Sequence, residues 1–276
     1  VVADGGWSGD DGAWRAAAGS GDVRAAVAAA AVVSAVEVVG AVPSTQDVAR
    51  TRARDGAPTG TLVVAERQLA GRGRVGRGWD DDARPGASLA ATLVLDPPRA
   101  AALVPHAAGL AVLAALADWP AVPARLKWPN DVVVRGPEGP RKLAGILVER
   151  VDLGRDLLLV GIGVNVDRRH LPPEADRAGV ADLAGGDVDP ARLLAGLVRG
   201  LDDAVRLLDH GAEVLLARYR AGCDTVGRDV RVTLPDGAAL VGRADVDAAG
   251  RLVVATPDGP RAVIAGTVRD APSDGA

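Results

Sequence analysis

The chain has no phenylalanine, no methionine and one tyrosine in 276 residues, so its five tryptophans are nearly the whole of its aromatic content. Its core must therefore rest on alanine, valine and leucine. A single cysteine, Cys223, excludes an internal disulfide and fits a reducing compartment. The three histidines, His106, His170 and His210, lie far apart without ligand spacing, so no protein metal site is expected. The Ala-rich run "AAVAAAAVVSAV" stops at Glu37, short of the roughly 20 apolar residues a membrane span needs. It lies inside the chain and leads into patterned sequence, which argues against a signal peptide. A cytoplasmic protein without a membrane partner is expected.

Scarcity makes the survivors informative. Only two lysines (Lys127, Lys142), two asparagines (Asn130, Asn165) and two glutamines (Gln46, Gln68) occur. Where arginine serves for ordinary surface charge, a retained lysine points to a compact ammonium that a planar guanidinium does not mimic. These residues fall in five short segments, each unusual for other reasons.

The length allows one or two domains. Residues 1–34 open rich in Gly and Asp and then turn Ala-rich, reading as a flexible segment that leads into a helix. From Glu37 the punctuation is regular. "VEVVGAV", "TLVVAE" and "SLAATLVL" read as strands, and "STQDVARTRARDG" as a helix with Ser44 at its N-cap and Gly56 at its C-cap. "RAAALVPHAAGLAVLAALAD" has helical periodicity, with Pro105 at or before its main body. "DVVV" and "KLAGILVERV" flank a hairpin turn, and "DLLLVGIGVNV" is a long apolar strand. Two helices follow. After Gly222 short strands alternate with Asp-Gly turns, the chemistry of hairpins. The layout is α+β: a segment over 1–34, a mixed domain over 35–222 and a small antiparallel β-barrel over 223–276.

"GRGRVGRGWDDD", Gly71 to Asp82, places three arginines within six residues of a chain of net charge −4. Gly71, Gly73 and Gly76 match the dinucleotide-binding pattern, with Asp96 about 20 residues on. That match is a decoy. "RQLA" separates the preceding strand from the first glycine, and "RGWDDDARPG" is poor material for a helix that would hold pyrophosphate. Glycine instead lets backbone approach a ligand closely. Arg72, Arg74 and Arg77 offer planar forks to phosphate oxygens, and Trp79 offers a face to a base, a contact of roughly 1–3 kcal/mol. The blander alternative is a solvated basic loop with Trp79 in the core. A nucleic acid would demand a broad basic face, and the aspartates that follow would repel it. A small phosphate-bearing ligand is expected, and no nucleic acid.

"LKWPND" gathers Lys127, Asn130 and Asp131 at a strand–turn, which alone would be a plain Pro-Asn turn. In "RKLAGILVE", alternation puts Lys142 and Ala144 on one face and Leu143 and Gly145 on the other. An ammonium entering a partly buried cleft there needs a phosphate or a carboxylate. In "VGIGVNV", Asn165 is buried amid valines, and an unpaired buried amide costs on the order of 1–3 kcal/mol. Its partner is either backbone or an adenine edge, whose adjacent donor and acceptor an amide matches.

In order, "STQD", "ERQLAGRGRVGRGW", "KWPND", "KLAGILVE" and "GIGVNV", followed by "VGRDVRVTLPDG", resemble the biotin–protein ligases over roughly residues 36–270. The resemblance implies a class II synthetase-like mixed sheet flanked by helices, with a C-terminal SH3-like barrel. It implies activation of biotin by ATP, with Mg²⁺, to biotinyl-5′-AMP, then transfer to a lysine of a biotin carboxyl carrier protein. By the same resemblance Ser44, Thr45, Gln46 and Gln68 bind the ureido end of biotin beside Arg72, Gly73 and Arg74, with Gly145 and Gly161 in the same site. Lys142 contacts the biotin carboxylate and the α-phosphate. Arg72, Arg74 and Arg77 hold phosphate, Trp79 stacks on adenine and Asn165 bonds its edge. Lys142, Arg74 and Asp131 are the implied catalytic residues, Asp131 orienting the acceptor amine. Gln46 stands where the family often has Asn, and Thr267 where many relatives have Asp. The segment before residue 35 is too short for the winged-helix repressor domain of bifunctional members, so a monofunctional ligase is expected, a monomer or weak homodimer. Remoter readings are a lipoate-type ligase and a biotin-binding sensor without transfer. The loop and the barrel argue against the first, and Lys142 with the loop arginines against the second.

Overall fold

The structure, a computed structural model, describes residues 12–76, 78–79, 84, 86–169 and 176–271. Two short helices come first, α1 (Ala13–Ala18) and α2 (Gly21–Ala29). Strand β1 (Ala35–Val42), helix α3 (Thr45–Arg54) and strand β2 (Thr61–Gln68) follow. The glycine–arginine segment makes a two-stranded ribbon of β3 (Gly71–Arg72) with β4 (Gly78–Trp79). Next come β5 (Ser88–Leu95), α4 (Val104–Leu116), β6 (Ala124–Lys127), β7 (Asp131–Gly136), β8 (Gly139–Asp152) and β9 (Asp156–Asn165). Helices α5 (Val180–Ala184), α6 (Pro190–His210) and α7 (Ala212–Gly222) lead to β10 (Asp229–Thr233), β11 (Ala239–Val246), β12 (Leu252–Thr256), β13 (Gly259–Val263) and β14 (Thr267–Asp270).

Seven strands make one mixed sheet, ordered β1-β2-β5-β9-β8-β7-β6 and parallel only between β1 and β2. Strands β10–β14 form the separate antiparallel sheet that the Asp-Gly turns predict. Helices α1 and α4 lie against one face of the large sheet, with α6 packed on both. The other face carries α3, whose Ala49 and Ala53 meet Val63, Ala65 and Leu159. Small residues let the helices close up. A Cβ on Gly200 of α6 would stand 2.7 Å from the Ala111 carbonyl oxygen of α4, and one on Gly196 3.0 Å from Ala115 Cα. A core without Phe or Met recovers its packing density by such close approach.

Residues 12–34 depart from the flexible segment expected, while 1–11 lie outside the described residues. Trp14 is fully buried, and Ser20 caps α2 by accepting from Val23 N at 3.2 Å. Asp202 of α6 accepts the backbone N–H groups of Ala31 and Val32 at 2.6 and 2.7 Å. The alanines that gave this segment its loose look are what let it lie close to α6.

The Gly250 carbonyl, in the β11–β12 turn, accepts from His106 Nε2 of α4 and from the Trp128 indole N–H, each at 3.0 Å. A carbonyl only accepts, so His106 carries its proton on Nε2. Burial pushes its pKa down to about 4 against the smaller opposing effect of the Gly250 bond. The unfolded chain therefore takes up a proton near pH 6.5 that the folded chain refuses until about pH 4. Stability is full above that window and falls as pH drops through it, by up to about 3 kcal/mol at 1.36 kcal/mol per pKa unit. Denaturant unfolding at pH 7 and 4.5 should show this loss, and His106→Gln should shrink it.

Candidate active site

Gly161 and Gly163 of β9 point to the same side of the sheet, and above them the bare backbone leaves room for side chains from α3 and the ribbon. A Cβ on Gly161 would lie 2.8 Å from Gln46 Nε2; one on Gly163 would lie 2.6 Å from Trp79 Cε2. The cleft above has two chambers. The smaller, about 50 Å³, is lined by Ser44, Thr45, Gln46, Gln68 and Gly161. The larger, about 500 Å³, is lined by Lys127, Asp131, Asn165, Arg177 and Thr267. Gly73, Arg74, Trp79, Asn130 and Lys142 line both and form the partition between them.

In the smaller chamber Ser44 begins α3 as expected, accepting from Gln46 N at 3.2 Å. Gln68 Oε1 accepts from Thr45 N and Thr45 Oγ1 at 2.8 and 3.1 Å, and Thr92 Oγ1 donates to Thr45 Oγ1 at 2.8 Å. Thr92 was not among the expected site residues, although a hydroxyl in the middle of the buried strand "SLAATLVL" is the same kind of signal as Asn165. Gln46 Nε2 donates to the Leu147 carbonyl at 2.9 Å, while its Oε1 is buried without a hydrogen-bond partner. A buried acceptor left bare is expensive, so this oxygen is suited to an N–H brought by a ligand.

At the partition, Lys142 Nζ lies 2.7 Å from Asp131 Oδ1 and 5.5 Å from the centre of the Trp79 ring. Arg74 Nη1 donates to Asn130 Oδ1 at 3.1 Å. Asn130 is oriented by β8: its side-chain N–H donates to the Ile146 carbonyl at 2.8 Å, and its backbone carbonyl accepts from Ile146 N. Lys127, the other lysine, is half-buried, and burial pushes its pKa down against the pull of Asp131, Asp270 and Asp224.

Three expectations change. Lys142 does not share a face with Ala144: a bulge pairs Val133 with Lys142 but Val132 with Ala144, leaving Leu143 extra. That extra residue reverses the alternation, so Lys142 and Gly145 meet under Trp79, with Lys142 Nζ 3.0 Å from where a Gly145 Cβ would stand. Arg72 lines the smaller chamber, but its guanidinium pairs with Asp47 at 2.8 Å and Glu149 at 3.6 Å, because both carboxylates flank the ribbon. Asn165 Nδ2 is taken by the Lys142 carbonyl at 3.1 Å, the backbone alternative. Arg77 lies outside the described residues. Among the described residues no three His, Cys, Asp or Glu side chains gather as a metal site, and no helix is long and apolar enough to cross a membrane.

A mixed sheet with a glycine–arginine ribbon, joined to a small antiparallel sheet, is the architecture this chain shares with protein ligases. The Biotin/lipoate A/B protein ligase family model matches residues 39–167, and the Biotin protein ligase C terminal domain matches residues 225–268. The chain belongs to this family. It is 39% identical over 224 residues to the biotin--[acetyl-CoA-carboxylase] ligase of Mycobacterium tuberculosis, covering 79% of this chain and 82% of that one. The bifunctional ligase/repressor BirA of Bacillus subtilis is 28% identical, over 78% of this chain and 68% of its own. Among solved structures, the biotin protein ligase from Aquifex aeolicus in complex with biotin and ATP superposes with a TM-score of 0.72 at 26% identity, over 86% of this chain and 99% of that one.

Proposed function

We propose that this protein is a biotin ligase that makes biotinyl-5′-AMP and passes the biotinyl group to a lysine of a biotin carboxyl carrier protein. The observation that carries this reading is the partition: one ammonium, Lys142, borders a small amide- and hydroxyl-lined chamber on one side and a larger chamber on the other. We assign biotin's ureido ring to the small chamber, where Gln46 Oε1 awaits a donor, and the nucleotide to the large one. Trp79 supplies the stacking face and Asn165 its remaining amide oxygen. Both assignments require Trp79 and Gln46 to adjust, since about 50 Å³ is far below a ligand-sized cavity. Residues 35–222 then form the catalytic domain, with 223–276 appended.

The first step needs no protein nucleophile, because biotin's carboxylate is ionised at neutral pH. A carboxylate oxygen attacks the α-phosphorus, the bond to the bridging oxygen breaks, and pyrophosphate leaves with the electron pair. Two anions must be brought together and the charge growing on phosphoryl oxygens must be met. Lys142 and Arg74 are the cations at the partition for this. In the second step an acceptor amine attacks the acyl carbonyl and AMP departs, with Asp131 placed to take up the amine's proton. We infer that Mg²⁺ would be held by the phosphates of the nucleotide and would neutralise charge there.

Asn130→Ala should free Arg74 and slow pyrophosphate exchange about tenfold, as the loss of one charge-assisted hydrogen bond implies. In a double-mutant cycle with Arg74→Ala the two losses should not add. The overall reading is tested by incubating the protein with biotin, ATP, Mg²⁺ and a carrier domain. A biotinyl mass increment on the carrier is expected; lipoyl transfer, or binding without transfer, would overturn the reading.

A further inference from the structure

Strands β2 and β5 are neighbours, paired from Leu62–Leu93 to Ala65–Ala90. Beyond that point they part, and the connection between them carries the ribbon. Helix α1 lies over the parting. Glu66 of β2 accepts the backbone N–H groups of Trp14 and Arg15, at 3.2 and 2.7 Å. The Trp14 indole N–H donates to the Ser88 carbonyl of β5 at 2.9 Å. The fit is close on both sides. A Cβ on Gly12 would lie 2.2 Å from Glu66 Oε1, and one on Gly86 3.1 Å from Ala13 Cβ.

Both stems lead directly to site residues. Gln68, which binds Thr45, is two residues past Glu66. Ser88 pairs across the sheet with Asn165, and the neighbouring Ala87 carbonyl accepts from Val166 N and Asp167 N. The family match begins only at residue 39, after α1. We propose that α1 is a clamp on the base of the ligand loop, with Trp14 and Glu66 as positioning residues that fix the β2 stem against the β5 stem. This rests on the substrate assignment above: the β2 stem serves the biotin end and the β5 stem the nucleotide end.

Trp14→Phe keeps a large ring and removes the indole donor. Val23→Ala removes buried bulk from α2, away from either stem, and controls for lost stability. With the full chain, Trp14→Phe should raise KM for both biotin and ATP about fivefold, the worth of one buried hydrogen bond, and leave kcat within about twofold. Amide hydrogen exchange at Val166 and Asp167 should quicken in parallel. Glu66→Gln, which swaps one acceptor oxygen for a donor, should behave likewise. Val23→Ala should lower Tm alone. Equal KM values and equal exchange in Trp14→Phe and Val23→Ala would overturn the clamp. Should the unaltered protein show no biotin-dependent turnover, the substrate assignment fails instead, and the exchange measurement still decides whether α1 restrains the stems.

Discussion

Lys142→Ala should reduce biotin-dependent pyrophosphate exchange by at least about 10²–10³-fold, the usual loss when a group aimed at developing charge is removed. Its fold should survive. The Lys142–Asp131 pair is about a third exposed on each side, and such a pair contributes only ~0–1 kcal/mol, a shift of a few degrees in Tm at most. Arginine should not rescue it. Lys142 Cε and Nζ both stand 3.0 Å from the Cβ position that Gly145 leaves empty, and Trp79 Cζ3 lies equally close to that point. A slim ammonium fits between indole and strand, whereas a planar fork does not. Thermal unfolding alongside isotope exchange between pyrophosphate and ATP separates fold from chemistry. Exchange within about tenfold of the unaltered protein would remove Lys142 from the centre of the reaction.

That residue was legible because the chain has so few lysines, and the same scarcity exposed Gln46, Gln68 and Asn165, each lining one chamber, and Asn130, which lines both. Strand periodicity located β5, β8 and β9, and Asp-Gly turns located the small sheet. What stayed hidden was whatever depends on one residue more or less, or on partners distant in sequence. The bulge at Leu143 cannot be seen in alternation, yet it decides which face Lys142 serves. Trp14 and Glu66 are 52 residues apart, so an Ala-rich opening looked loose until the strand that receives it was in place. Arg72 looked like a phosphate ligand because the carboxylates that hold it, Asp47 and Glu149, belong to α3 and β8. Charge in a sequence names a sign; direction comes from the fold.

The glycines of "GIGVN" allow the two chambers to be tested one at a time. Gly163→Ala should raise KM for ATP at least about tenfold, since a Cβ there would stand 2.6–3.0 Å from three Trp79 ring atoms and a lost stacking face is worth roughly 1–3 kcal/mol. The ring must move, because β9 is held between β5 and β8 while Trp79 sits on a two-residue strand. Gly161→Ala should act on biotin instead. Its Cβ would meet Gln46 Nε2 at 2.8 Å and the Leu147 carbonyl at 3.2 Å, disturbing the amide whose oxygen is buried without a partner. Neither change should lower Tm much, since alanine in a strand interior is favoured over glycine by roughly 0.5–1 kcal/mol. Steady-state KM values for each substrate in the two variants, two residues apart on one strand, therefore test the division of the cleft. If both substitutions raise KM for the same substrate, biotin and nucleotide do not lie on opposite sides of Lys142.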